Sequence, residues 1–191
     1  MSLIATQIPE DVFEHISKNA GILLSDFDPE KWVVDRSKII GATSGGINFK
    51  DAPSYSDWGD DIDNCPKNTM ELKNLDSREV TASGTYVTIT PAMLKQLIGA
   101  ADLSEDGAQI TPRAELKTDD FTSKLWFLTD YGVGGAIAVR LDNVLNADGY
   151  SLQTGDKSKG THSFNYMAHY SIDDPDTVPY EIYIKSGTVT G

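Results

Sequence analysis

Apolar and polar residues alternate with a period of two in several stretches of this chain from Gly46 onward. Gly46-Ile47-Asn48-Phe49-Lys50 opens the pattern, and Arg78 to Thr90 carries it further, interrupted by Gly84. Alternation of this kind places one set of side chains on a core face and the other in water. In the second half Ile137, Val139 and Leu141 face one way, and Ala138, Arg140 and Asp142 the other. Phe164, Tyr166, Ala168 and Tyr170 alternate with Ser163, Asn165, Met167 and His169, and Ile182 and Ile184 with Glu181 and Tyr183. The pattern predicts strands over 46–50, 78–90, 107–112, 124–130, 135–145, 150–156, 161–170 and 178–185. Gly132, Gly134, Gly149, Gly155 and Gly160 punctuate the turns between them.

Two stretches have a helical period instead. Thr90-Pro91 reads as an N-cap followed by proline at the first helical position. Met93, Leu94, Leu97, Ile98 and Ala101 then share one face, which predicts a helix over 91–101. Near the N-terminus, Pro9 with Glu10 and Asp11 suits a helix start, and Val12, Phe13, Ile16 and Ala20 fall on one side before Gly21. Residues 22–35, around Phe27 and Trp32, read as irregular or extended. Many strands with two short helices predict a mainly β fold, a sandwich or barrel with an added helix. The length of 191 residues fits one domain. It divides into an N-terminal helix and arm at 1–30, a β body at 31–187 and a C-terminal tail at 188–191.

One segment does not fit a bland reading. Residues 51–76 are rich in Asp, Pro, Asn, Gly and Ser, which predicts a long loop. They also hold Tyr55, Trp58, Ile62, Leu72 and Leu75. Loops this long are uncommon unless they have a task, and a solvated linker would not keep five large apolar side chains. The segment either folds onto its own domain or packs on a partner.

Charge and cysteine content exclude several classes. Sixteen basic against 29 acidic residues leave a formal charge of −13. That argues against gripping nucleic acid or an anionic membrane by charge, since both need a basic face. No apolar run approaches the roughly 20 residues of a membrane-spanning helix, and no signal peptide is evident at the N-terminus. Cys65 is the single cysteine, so no intrachain disulfide forms, and no Asn-x-Ser/Thr sequon occurs. These features suit a reducing cytoplasm.

The candidate chemistry consists of near misses. Gly41-Ala-Thr43-Ser-Gly45 has nucleophile-elbow spacing, but Thr43 stands at its centre and a strand follows where a helix is required. Gly155 to Thr161 has phosphate-loop glycine spacing but no lysine after Gly160, and again precedes a strand. His15, His162 and His169 show no metal-binding spacing. Asp61-Ile-Asp63 begins like a calcium loop, yet Cys65 and Pro66 occupy positions needed for a ligand and the turn glycine. The reading is therefore of no catalytic residue, no metal and no cofactor. A subunit completed by meeting copies of itself remains, because free sheet edges must be paired or covered.

Several segments resemble a known family. Ile39-Ile-Gly-Ala-Thr-Ser-Gly-Gly-Ile-Asn-Phe49 is similar to an early strand of the major tail proteins, the tail tube subunits of long-tailed, siphovirus-type bacteriophages and prophages. Pro53-Ser-Tyr-Ser-Asp-Trp-Gly-Asp-Asp-Ile-Asp-Asn-Cys-Pro-Lys67 resembles the loop after it. Gly84-Thr-Tyr-Val-Thr88, Lys159-Gly-Thr-His-Ser-Phe164, Ala168-His-Tyr170 and Val178-Pro-Tyr-Glu-Ile-Tyr-Ile184 follow in order. The resemblance implies a β-sandwich or partial β-barrel of the phage tail tube type with a flanking helix. It implies hexameric rings stacked into a tube, with this chain's partners being itself, other tail proteins at the tube ends, and DNA that passes through without specific binding. Assembly would occur in the bacterial host cytoplasm and the product would reside in the virion tail. It also implies that 51–76 is the inter-ring stacking loop, carried by Tyr55, Trp58, Ile62, Leu72 and Leu75. The alternatives are the tube subunit of a related phage-tail-like injection particle, or a monomeric acidic β-sandwich that binds a ligand.

Overall fold

A computed structural model describes residues 8–187, the side chain of Phe13 excepted; the tail at 188–191 and the first seven residues of the arm lie outside the described residues. The elements are α1 (Val12–His15), β1 (Ser17–Leu24), β2 (Thr43–Asp57), β3 (Lys73–Tyr86), α2 (Pro91–Ile98), β4 (Ala101–Leu103), β5 (Ile110–Pro112), β6 (Thr122–Tyr131), β7 (Gly135–Asn146), β8 (Ser151–Gln153), β9 (Thr161–Met167) and β10 (Tyr180–Lys185). The fold is mainly β. Eight strands form one antiparallel sheet in the order β1-β6-β7-β9-β3-β2, with β10 added on β7 and β8 on β9. The terminal strands β1 and β2 do not pair with each other, so the sheet is open rather than a closed barrel. A second, small sheet pairs β4 with β5.

Strand β7 makes the corner. Its first part pairs with β6 and β10, and Leu145 and Asn146 at its end pair with Met167 and Tyr166 of β9. The sheet therefore doubles over into two layers. Leu23, Leu125, Phe127, Val139 and Leu141 of one layer meet Val80, Ala82, Phe164 and Tyr166 of the other. Of these, Val139 with Leu141 and Phe164 with Tyr166 are the sets that the period of two places on one face. Met93 and Leu97 of α2 close one end of the same core. On the outer face of the first layer, residues 25–39 fold back so that Phe27 packs between Trp32 and Trp126.

The N-terminal helix is shorter than the sequence predicts. It ends at His15, and residues 17–24 form a strand paired with β6. A helix continued to Ala20 would be too short to be stable alone and would forgo the strand that buries Leu23 and Leu24 completely. Asn19 and Gly21, both at positive φ, carry the irregularity between Lys18 and Ile22. Gly21 ends no helix. It is glycine because a Cβ there would sit 2.4 Å from the Phe127 ring and 2.8 Å from the Leu128 carbonyl oxygen.

The segment 51–76 is not a loop throughout. Strand β2 continues to Asp57 and β3 begins at Lys73, paired from Asp51↔Val80 to Asp57↔Lys73. Polar residues and Pro53 hide this strand from a pattern search, but β2 is an outermost strand, where proline is tolerated. Helix α2 is capped as predicted, with Thr90 Oγ1 accepting from Met93 N at 3.2 Å. It stops at Ile98, because Gly99 takes φ +81°. Ala101 belongs to β4 instead of the helix face. Buried Asn146 holds the helix end to the β7 corner by donating to the Leu97 carbonyl at 2.7 Å.

The β4–β5 ribbon is tied down by charge. Arg113 Nη2 lies 2.5 Å from Asp120 Oδ1, and its Nε 3.0 Å from Asp102 Oδ1 without the alignment of a hydrogen bond. Asp120, whose side chain is 1% exposed, also accepts from Lys117 N at 2.8 Å. The Lys117 amide and then Arg113 hold the Asp120 carboxyl below the usual range, against burial.

Candidate assembly surface

Strand β3 pairs with β9 only from Thr81 to Tyr86. Between Lys73 and Ser77 its strand partner is β2 alone. At about 3.3 Å per residue, this two-stranded ribbon extends for roughly 15 Å past Arg78. Its base is fixed to the body. Arg78 pairs with Asp51, whose Oδ2 also accepts from Tyr180 Oη at 2.8 Å. Burial and this bond to Asp51 push the Tyr180 phenol up. The Arg78 amide donates to Tyr170 Oη at 3.2 Å.

The tip, 58–72, is a small folded unit organised by Asp57. Its carboxylate, 9% exposed, accepts from Gly59 N at 3.0 Å and Asn68 N at 2.8 Å, and Lys73 Nζ is 3.7 Å away. The two amides, Gly59 first, and then Lys73 hold the Asp57 carboxyl below its ordinary range. Asn64 and Asn68 take left-handed conformations that this residue type tolerates. Trp58 N donates to the Leu72 carbonyl at 3.0 Å, which closes the ribbon, and Thr69 Oγ1 donates to the Pro66 carbonyl at 2.7 Å. Buried Gly59 leaves room for Cys65 and Leu72, each of which would lie 3.0 Å from a Cβ placed there. Cys65 is half-buried and unpaired with any other cysteine.

The five residues singled out in the sequence thus divide. Leu72 turns inward and packs in the tip. Tyr55, Trp58, Ile62 and Leu75 stay 56%, 67%, 52% and 44% exposed. Tyr55 and Leu75 are direct cross-strand partners, so they form one patch on the ribbon. Met70, 79% exposed on the same tip, is a sixth member that the sequence reading passes over, although its size in a polar segment is the same signal. Asp57 was also missed as the organiser. A row of four acids in a polar segment does not reveal which one folds back on backbone amides.

Elsewhere, β10 has no strand on its far side among the described residues, and it leaves Ile182 and Ile184 49% and 62% exposed. His162 is buried against Tyr150, and His169 Nδ1 lies 3.0 Å from the Asn143 carbonyl. Among the described residues no three His, Cys, Asp or Glu side chains are grouped to hold a metal ion, and no helix is long and apolar enough to cross a membrane.

No family model matches the chain, and no curated protein matches it. Among solved structures, a chain from the virion of a native gene transfer agent particle is similar over 80% of this chain and 92% of its own length, at 7% identity and a TM-score of 0.43.

Proposed function

We propose that this chain is a self-assembling structural subunit of a phage-tail-like particle. The carrying observation is the projecting β2–β3 ribbon, which presents Tyr55 and Leu75 on its strands, and Trp58, Ile62 and Met70 on a tip that Asp57 holds in shape, to solvent. An isolated protein gains nothing by keeping such side chains exposed on an ordered ribbon, and contiguous exposed apolar surface marks an interaction site. The ordered tip costs little further entropy on docking.

In its finer form the reading is a tail tube, of a bacteriophage or of a related injection particle. Hexameric rings stack through the ribbon, and their channel conducts DNA. The sequence resemblance, which runs in order from about Asn19 to Gly187, supports this form. So does the charge of −13, because a channel wall rich in acids repels phosphates within a Debye length of about 8–10 Å and lets DNA slide. The β10 edge, which carries no further strand among the described residues and exposes Ile182 and Ile184, suits lateral contact within a ring. Of the helix and arm expected at 1–30, Ser17–Leu24 is a strand of the sheet, and on this reading the arm is the stretch ahead of it.

Light scattering on the purified chain over a range of concentrations, with negative-stain images of the largest species, tests the proposal. Rings or tubes are expected. A strict monomer at every concentration and salt would rule it out.

A further inference from the structure

The ribbon tip and an apolar groove lie at opposite ends of one strand. Trp58 follows β2 at the end where Asp57 faces Lys73, the first residue of β3. Ile89, Thr90 and Pro91 come just after the other end of β3, where they line a groove with Leu94, Ile98 and Tyr150. Gly107 and Ala108 of the β4–β5 turn form its far wall, and its volume is about 460 Å³. Strand β3 spans 14 residues, so tip and groove are roughly 45 Å apart at 3.3 Å per residue. The tip therefore cannot reach the groove of its own chain.

We infer that the groove receives the ribbon tip of a second copy of this chain, with Trp58 and Ile62 seated over Ile89, Leu94 and Ile98. This rests on the self-assembly reading above. Area and charge both favour that occupant. Tyr55, Trp58, Ile62, Met70 and Leu75 are 44–79% exposed, and an aromatic side chain buries roughly 150–250 Å² when covered. With an equal share from the groove side, the contact is on the order of 1,000 Å², the size at which a specific interface begins. The tip carries exposed Asp60, Asp61 and Asp63. The turn between β8 and β9 projects past the Tyr86 end of β3, the end that leads to the groove, and carries exposed Asp156, Lys157 and Lys159. Glu105 and Asp106, both exposed, directly precede Gly107 of the groove wall. The inferred orientation puts the tip acids toward Lys157 and Lys159 and away from Glu105 and Asp106. Because the two surfaces differ, the contact is head-to-tail, and repetition gives a ring or an open filament or tube instead of a two-fold dimer.

Cysteine cross-linking tests this in the full chain, in a Cys65→Ser background. Ile62→Cys and Ala108→Cys are made singly and together, both at surface positions, with thermal melting to check that each variant folds. Under mild oxidation the doubly substituted chain should give a ladder of covalent multimers, and neither single variant should. Mixing the two single variants should give dimers only. Reversing Lys157→Glu with Lys159→Glu should raise the concentration needed for assembly several-fold at low salt, and Asp60→Lys with Asp61→Lys should restore it. Covalent dimers from Ile62→Cys alone would mean that tips meet tips and would overturn the inference. Native polymers with no 62–108 cross-link would overturn the groove as receptor while leaving self-assembly intact. Failure of the native chain to polymerise at all would overturn both.

Discussion

Replacing Trp58 by alanine separates a docking residue from a core residue. Trp58 is 67% exposed in the isolated chain. Its removal should cost the subunit little, since surface substitutions generally fall within about 0.5 kcal/mol. Thermal unfolding should shift by no more than about 2 °C. In an assembly the exposed part is covered. For a tryptophan near the upper end of the aromatic range, roughly 250 Å², two thirds of the surface is about 170 Å². A smaller working value of about 120 Å² allows for incomplete burial and, at about 25 cal/mol per Å², corresponds to about 3 kcal/mol per contact. Each 1.4 kcal/mol is tenfold, so the critical concentration for polymerisation should rise by roughly 100-fold. Sedimentation of assembled material across a dilution series measures it directly, with circular dichroism on the same samples to verify folding. An unchanged critical concentration would refute the assignment of Trp58 to the contact. A melting temperature lowered by 10 °C or more would refute the exposure on which the reasoning rests.

Asp57→Ala should free the Gly59 and Asn68 amides and loosen the tip, seen as faster hydrogen exchange confined to 58–72 while the core stays protected. Because the folded-state carboxyl of Asp57 is held below its usual range, its stabilisation is fully present above an unfolded pKa of about 3.9. It is lost as pH falls through the lower folded value, so native assemblies should weaken in acid below about pH 4, and those of the alanine variant should lack this step. Arg113→Met leaves the buried Asp120 carboxylate without its guanidinium and should cost about 3 kcal/mol in urea unfolding; a loss under 0.5 kcal/mol would show that the ion pair contributes nothing. Cys65→Ser should leave both folding and assembly unchanged, and multimers lost on adding reductant would contradict this.

The body of the fold was legible because its strands alternate strictly. Val139 and Leu141, or Phe164 and Tyr166, can face only one way if they are to avoid water, and they meet in the core as expected. Helix α2 was legible from Thr90-Pro91 and the Met93–Leu97 stripe, but not its end, which Gly99 sets by its φ. Strand β1 was obscured because Val12, Phe13, Ile16 and Ala20 also satisfy a helical period, and the decision falls to pairing with β6, a contact over 100 residues away. The ribbon was hidden for another reason. Outside the core, Ser54, Ser56 and Asp57 need not be apolar to form a strand; backbone pairing with β3 is enough. The apolar members of the tip were readable as a group, yet which of them turns inward depends on the packing of Leu72 and Cys65 around Gly59.

A helical reconstruction of polymers grown from the purified chain tests the central claim most directly. The account predicts a hollow tube in which the β2–β3 ribbon of each copy lies against a neighbouring copy and Trp58 is excluded from water. Polymers in which the ribbon projects freely into solvent, with Trp58 as exposed as in the single chain, would contradict it.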